Sequence, residues 1–296
     1  MQSTRRIGFI GAGNMAEAMI RGLLGHGFAT PERIVASVPR PERAVELRER
    51  WGIEVVHDNV EVVRRAEIVV LSVKPQKLLA VLDEIAPEAT ARQMFVSVAA
   101  GAPLEVIEAR LGAGARVVRA MPNTAVLVQA GATAIAAGTA ASAEDIATVE
   151  RIFDSVGLTA IVEEHQLDAV TALSGSGPAY AMLILEAMSD GGVRAGLGRR
   201  ASQLLAAQTL LGAARLVLET STHPAVLREM VTSPGGTAIA GLHVLESHGV
   251  RAALISAIES ATRRARELGE AFAAGAARAD ADPSPARTIA PRAAPC

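Results

Sequence analysis

RRIGFIGAGNMAEAMIRG, residues 5–22, decides the fold of this 296-residue chain. Residues 7–10 are a short apolar run suited to a buried parallel strand. Gly11, Gly13 and Ala16 follow in the spacing G-x-G-x-x-A. From Met15 the period becomes helical, with Met15, Met19 and Leu23 on one face. A strand, a tight glycine turn and a helix are what a dinucleotide pyrophosphate needs. Gly11 permits the turn, Gly13 lets the backbone approach the phosphates, and Ala16 lets the helix pack on the strand. The free N–H groups and the dipole of the helix N-terminus attract the anion. Gly11, Ala12, Gly13, Asn14 and Met15 are therefore the expected cofactor-binding turn.

Working outward, 34–37 reads as a second strand whose end meets the adenosine ribose. An acid there would favour NAD. Instead Ser37 is followed by Val38, Pro39 and Arg40, with no acid before Glu42. A hydroxyl and a guanidinium suit a 2′-phosphate, so NADPH is expected over NADH. Further strands are expected at 53–56, 68–73, 94–98, 115–119 and 161–162. Segments 126–128 and 133–136 suggest a strand pair around Gly131. Helices are expected at 16–26, 41–50, 59–65, 76–85, 104–111 and 144–155, with Ser142 and Asp145 in capping-box spacing. This alternation predicts an α/β Rossmann-type N-terminal domain, a doubly wound sheet over residues 1–163. Lys74 and Pro75 close its central strand, where open α/β sheets bind ligands.

After residue 163 the texture changes. Helices are expected at 167–173, 178–192, 199–220, 224–231 and 250–268, an all-α C-terminal dimerisation domain over 164–272. Two Gly/Ser/Thr loops, 174–178 and 232–238, break them; such loops present backbone N–H groups to anions. Residues 181–185, AMLIL, are apolar all round, which requires a cover and points to a homodimer. Residues 273–296, rich in Ala, Arg, Asp and Pro, read as a disordered tail.

Composition narrows the partners. Lys plus Arg number 29 and Asp plus Glu 31, a net charge of -2, which makes no electrostatic case for nucleic acid or an anionic membrane. No run of about 18 uncharged apolar residues suggests a span. The one cysteine and the short first apolar run fit a cytoplasmic protein without disulfides. The six histidines show no metal-ligand spacing, so no metal is expected.

Taken together the motifs resemble pyrroline-5-carboxylate reductase over about nine tenths of the chain. The carriers are GAGNMAEAM (11–19), SVKP (72–75), MPNT (121–124), ALSGSGPAY (172–180) and VTSPGGT (231–237) followed by Ile239-Ala240-Gly241. The resemblance implies reduction of 1-pyrroline-5-carboxylate to L-proline by hydride transfer from NAD(P)H, the last step of proline biosynthesis. It implies that Ser37 and Arg40 lie near the adenosine, and that Asn59, Val73, Lys74, Pro75, Ala99 and Ala100 line the cofactor. Substrate would meet Ser233, Gly235, Gly236, Thr237 and Ala238, supplied by a partner subunit. Family members are dimers, often assembled into rings of five dimers. The family usually has Thr at the position of Ala238, where it holds the substrate nitrogen; Thr237 is the replacement candidate for that catalytic role. Ala125 also replaces a Pro usual in the family. Two alternatives stay open. One is a related imine or β-hydroxyacid-type reductase, although a hydroxyacid enzyme would need a Lys on its first domain helices and Lys74 and Lys77 are the only lysines. The other is a non-catalytic NADP-binding scaffold.

Overall fold

The computed structural model describes residues 4–281. Its first half alternates strand and helix. β1 (Ile7–Ile10), α1 (Asn14–Gly25), β2 (Ile34–Ser37), α2 (Pro41–Trp51), β3 (Glu54–Val56) and α3 (Asn59–Arg65) come first. β4 (Ile68–Leu71), α4 (Pro75–Ile85), β5 (Met94–Ser97), α5 (Leu104–Leu111) and β6 (Arg116–Met121) follow. β7 (Gly131–Ala137), α6 (Ala143–Asp154) and β8 (Gly157–Ile161) complete one eight-stranded sheet, ordered β3-β2-β1-β4-β5-β6-β7-β8. β7 runs antiparallel to β6, and β8 parallel to β7. The expected Rossmann-type sheet is thus present.

Strand residues alternate between two cores. Ile7, Phe9, Ile34, Ala36, Val70 and Val96 face α1, α2 and α6. Ile10, Val35, Val69, Leu71, Phe95 and Val117 face α3, α4 and α5. Because both faces are covered, the strands need the continuous apolar runs that the sequence shows. The capping box of α6 is formed: Asp145 N–H donates to Ser142 Oγ at 3.1 Å, and Ser142 N–H to the Asp145 carboxylate at 3.0 Å. The strand pair expected at 126–128 is not. Thr124–Val128 is a 3-10 turn, begun by Asn123, whose side chain accepts Ala125 N–H. β7 pairs with β6 instead.

α1 is locked to α2 through one carboxylate. Glu17, 16 % exposed, pairs with Arg43, takes a hydrogen bond from Arg50 at 2.8 Å and another from the Trp51 indole at 3.0 Å. Burial pushes its pKa up, but hydrogen bonds from Arg43, Trp51 and Arg50 outweigh this and hold it below the ordinary carboxylate value.

The second half is helical: α7 (Leu167–Val170), α8 (Gly177–Arg194), α9 (Arg199–Thr220), α10 (Pro224–Met230), α11 (Thr237–Ser247) and α12 (Val250–Ala281). The loop expected at 174–178 is wound. Thr171–Gly175 forms a π-helical turn, with Ser176 N–H donating to Thr171 O at 2.8 Å, and runs straight into α8. Its amides therefore serve the helix rather than an anion. Helix α11 has no counterpart among the expected helices. Residues 273–281 of the expected tail are helical instead, because α12 continues to Ala281. Its alanines are the strongest helix formers, Phe272 packs on the sheet core, and Arg110 reaches Asp280 and Asp83 at 2.5 Å. The rest of that expected tail, 282–296, lies outside the described residues.

Two stability measurements check these contacts, both at fixed protein concentration. A Cβ on Gly22 of α1 would lie 2.3 Å from Val156 Cγ1 and 2.6 Å from Ser155 O. Gly22→Ala should destabilise by about 1–3 kcal/mol in urea denaturation, although Ala is the better helix former. Glu17→Gln should cost about 1.5–3 kcal/mol at neutral pH. The folded pKa of Glu17 is depressed, so its contribution is complete above its unfolded pKa and is lost as pH falls through the folded one. The gap between wild type and variant should therefore close on acidification below pH 4.5.

Candidate functional site

β1 ends at Ile10 and the chain turns at Gly11, whose φ is +86°. A Cβ there would also lie 2.6 Å from Val73 Cγ1. Gly11 and Ala12 donate their N–H groups to Ser37 O at 3.2 and 3.1 Å. Ser72 Oγ, 3.1 Å from both, donates to Ile10 O and Gly11 O, so β2 and β4 brace the turn from either side. Gly13 begins α1 without a side-chain cap. A Cβ built on Gly13 meets nothing within 4 Å. The first-turn N–H groups of α1 consequently open onto free space, a seat for an anion. Ala16 is fully buried where α1 meets the sheet.

The other expected cofactor residues gather at the same sheet edge. Ser37 ends β2 and is 1 % exposed. Its hydroxyl donates to Asn59 Oδ1 at 2.6 Å, and Asn59 Nδ2 donates to Glu84 at 2.8 Å. The Ser37 hydroxyl thus reaches a ligand only when that bond yields. Arg40, exposed at the start of α2, makes no ion pair among the described residues. Val73 is half-buried, and Lys74 is exposed just before Pro75 opens α4. Ala99 is buried and Ala100 exposed, immediately beyond β5.

Two residues were missed from sequence. Ser72 was quoted only as part of a motif, and its brace on the turn has no local signature. Arg43 lies nearer the glycine turn than Arg40 does: its Nε donates to Ala12 O at 3.3 Å. Its two terminal nitrogens are taken by Glu17 and Glu46.

Residues 233–238 are not brought to this edge within the protomer. Gly235 has φ +66° and Gly236 begins α11 without a side-chain cap, its own N–H donating to Ser233 O at 3.0 Å. Thr237 is exposed in the first turn of α11 and Ala238 is half-buried. The loop borders a cavity of about 670 Å³ lined by α10, α11 and their connection, including Arg228, Thr232 and His243. No residue of the sheet half lines it. The same half exposes large apolar side chains, with Met182, Leu183 and Leu204 each 65–69 % accessible. α9 is long and apolar enough to cross a membrane by length and composition alone. Among the described residues no group of three His, Cys, Asp or Glu could hold a metal ion.

Comparison with known proteins identifies this arrangement. A family model described as pyrroline-5-carboxylate reductase dimerisation matches residues 164–268. Another, described as NADP oxidoreductase, coenzyme F420-dependent, matches residues 6–101. The pyrroline-5-carboxylate reductase of Methanosarcina acetivorans is 46 % identical over 266 residues, covering 90 % of this chain and 98 % of that one. The structure of a pyrroline-5-carboxylate reductase from Coxiella burnetii superposes with a TM-score of 0.87 at 39 % identity, over 90 % of this chain and 99 % of that one. The Plasmodium falciparum pyrroline carboxylate reductase, crystallised with NADP bound, gives 0.80 at 28 % identity, over 91 % and 100 %. With a braced glycine turn at its sheet edge and a helical half that leaves apolar faces for another copy, the chain belongs to the pyrroline-5-carboxylate reductase family.

Proposed function

We propose that the protein reduces 1-pyrroline-5-carboxylate to L-proline with NADPH, NADH being the weaker donor. The observation that carries this reading is a pair of uncapped helix N-termini, α1 behind Gly13 and α11 behind Gly236, in a chain 46 % identical to a reductase of that name. The open space over Gly13 and the free first turn of α1 fit a dinucleotide pyrophosphate. Gly11, Ala12, Gly13, Asn14 and Met15 hold it. Arg40 meets the 2′-phosphate, with Ser37 and Asn59 beside the ribose. Val73, Lys74, Pro75, Ala99 and Ala100 line the path toward the nicotinamide.

Bound NADPH supplies the hydride that, with one proton, converts the C=N bond of the imine into the CH–NH of proline. The chain's task is to bind, orient and exclude water. Ser233, Gly235, Gly236, Thr237 and Ala238 seat the substrate carboxylate on the first-turn N–H groups of α11. The Thr237 hydroxyl, one residue before Ala238, takes the hydrogen bond to the ring nitrogen. Holding both partners in register supplies about 7–11 kcal/mol of the barrier reduction available to such a reaction.

Because the 233–238 loop lies apart from the glycine turn of its own protomer, the complete site needs the loop of a partner subunit. Burial of α8 and α9 against that copy also accounts for their apolar surface without a membrane. A dimer is the smallest active unit, with a ring of five dimers as the larger assembly, in the cytoplasm.

Purified protein should consume NADPH in the presence of racemic pyrroline-5-carboxylate, followed at the reduced-nicotinamide absorbance. Retained NADPH binding with no loss of absorbance would sink the reading in favour of a scaffold. Thr237→Ala should lower kcat by about tenfold or more, as one hydrogen bond to a developing charge contributes 1.5–3 kcal/mol. An unchanged rate would move that role to water or backbone. Arg40→Asp should raise the KM for NADPH far more than that for NADH, and equal effects would remove Arg40 from the phosphate site.

A further inference from the structure

Asn123 sits two residues beyond β6 and is 9 % exposed. Its side-chain amide joins three elements. Oδ1 accepts Ala125 N–H, inside the 3-10 turn, and Ala132 N–H, on β7, each at 3.2 Å. Nδ2 donates to Ser174 O at 3.1 Å, in the π-helical turn of the helical half. The orientation of the amide is fixed by its partners, since two N–H donors require oxygen and a carbonyl requires nitrogen. Beside this hydrogen bond the two halves also touch without spare room. A Cβ on Gly175 would lie 2.8 Å from Met121 Cε. Asn123–Ser174 and Met121–Gly175 are thus the polar and apolar parts of one joint, placed at the carboxyl end of β6. β6 is the neighbour of β5, whose end carries Ala99 and Ala100.

We infer that Asn123 is a positioning residue for the reaction. It couples the sheet edge that carries the nicotinamide to the π-helical turn from which α8 starts, and so fixes how the helical half, and the partner's loop seated on it, stands over the cofactor. The inference rests on the reductase reading above. Asn123 touches neither cofactor nor substrate and acts through Ser174. The π-helical turn makes the coupling effective, because the Ser174 carbonyl accepts its bond from across the joint. Ser174 is half-buried, and the amide of Asn123 is the donor that the other half provides to its carbonyl. Hydride transfer tolerates little misplacement: about 1 Å costs on the order of a hundredfold in rate.

Asn123→Asp is the informative variant. It keeps the acceptor for Ala125 and Ala132 but replaces the donor to Ser174 O by a carboxylate oxygen that repels it, so the bond across the joint is lost. In the full-length protein it should lower kcat by about tenfold or more while leaving the NADPH Kd within about twofold. The primary isotope effect with NADPH deuterated at the transferred position should rise, and amide exchange across residues 171–176 should accelerate. Asn123→Ala, which also frees two backbone N–H groups, should show the same kinetic signature with a lower Tm. A kcat and isotope effect in Asn123→Asp equal to wild type would overturn the proposal. So would a fall in kcat matched by an equal loss of NADPH affinity, which is what a merely structural residue would produce. If wild-type protein fails to consume pyrroline-5-carboxylate, the reductase reading falls, whereas the exchange measurement still decides whether the joint exists.

Discussion

A helix that begins on glycine leaves its first-turn amide protons without a partner from its own chain. Here that constraint holds at Gly13, Gly198 and Gly236, and none of these starts carries a side-chain cap. Side-chain caps close other starts: Asp58 accepts Val60 N–H at the start of α3, and Ser142 and Asp145 close the start of α6. An Asn, Asp or Ser cap contributes about 1 kcal/mol, a stabilisation that the glycine starts forgo.

The surroundings hold those starts still. Ser37 O takes both amides of the glycine turn and Ser72 Oγ clasps its carbonyls, so the turn is tied to β2 and β4 before any ligand arrives. Glu17 does the same for α1 against α2 by gathering Arg43, Arg50 and Trp51. Arg43 and Arg50 are thereby paired, while Arg40 and Lys74 stay exposed without an ion pair among the described residues. On the helical side the order is reversed. Large apolar side chains of α8 and α9 are accessible in the protomer, and the loop before α11 has only local bonds. Rigidity there has to come from association.

Much of the site was legible because its residues sit where a pattern changes. Gly11 to Ala16 mark the step from a buried strand to a 3.6-residue period, and Ser37, Val73 and Ala99 follow the ends of apolar runs. The helix at 237–247 was not legible, because Gly235, Gly236 and Thr237 read as loop and the following residues lack a charged face to mark a period. The turn at 124–128 looked like a strand because Val126 and Val128 are β-branched, yet the side chain of Asn123 supplies a local alternative. The π-helical turn carried a loop's composition, SGSGP, but packing against Met121 decided its path. Ser72, Arg43 and Asn123 act through partners dozens of residues away, a kind of contact that no local spacing records.

α12 carries a consequence of its own. Thirty-two residues of helix form a rod about 48 Å long. Its first turns belong to the helical half with α11, while Phe272, Ala276 and Asp280 lie on the sheet half through the core and Arg110. One continuous element therefore has a foot in each half. A rod of that kind transmits torque: a tilt of the sheet half must either bend the helix or swing its other end, which packs with α11. Motion of the sheet half is in this way mechanically geared to the 233–238 loop, from which α11 starts.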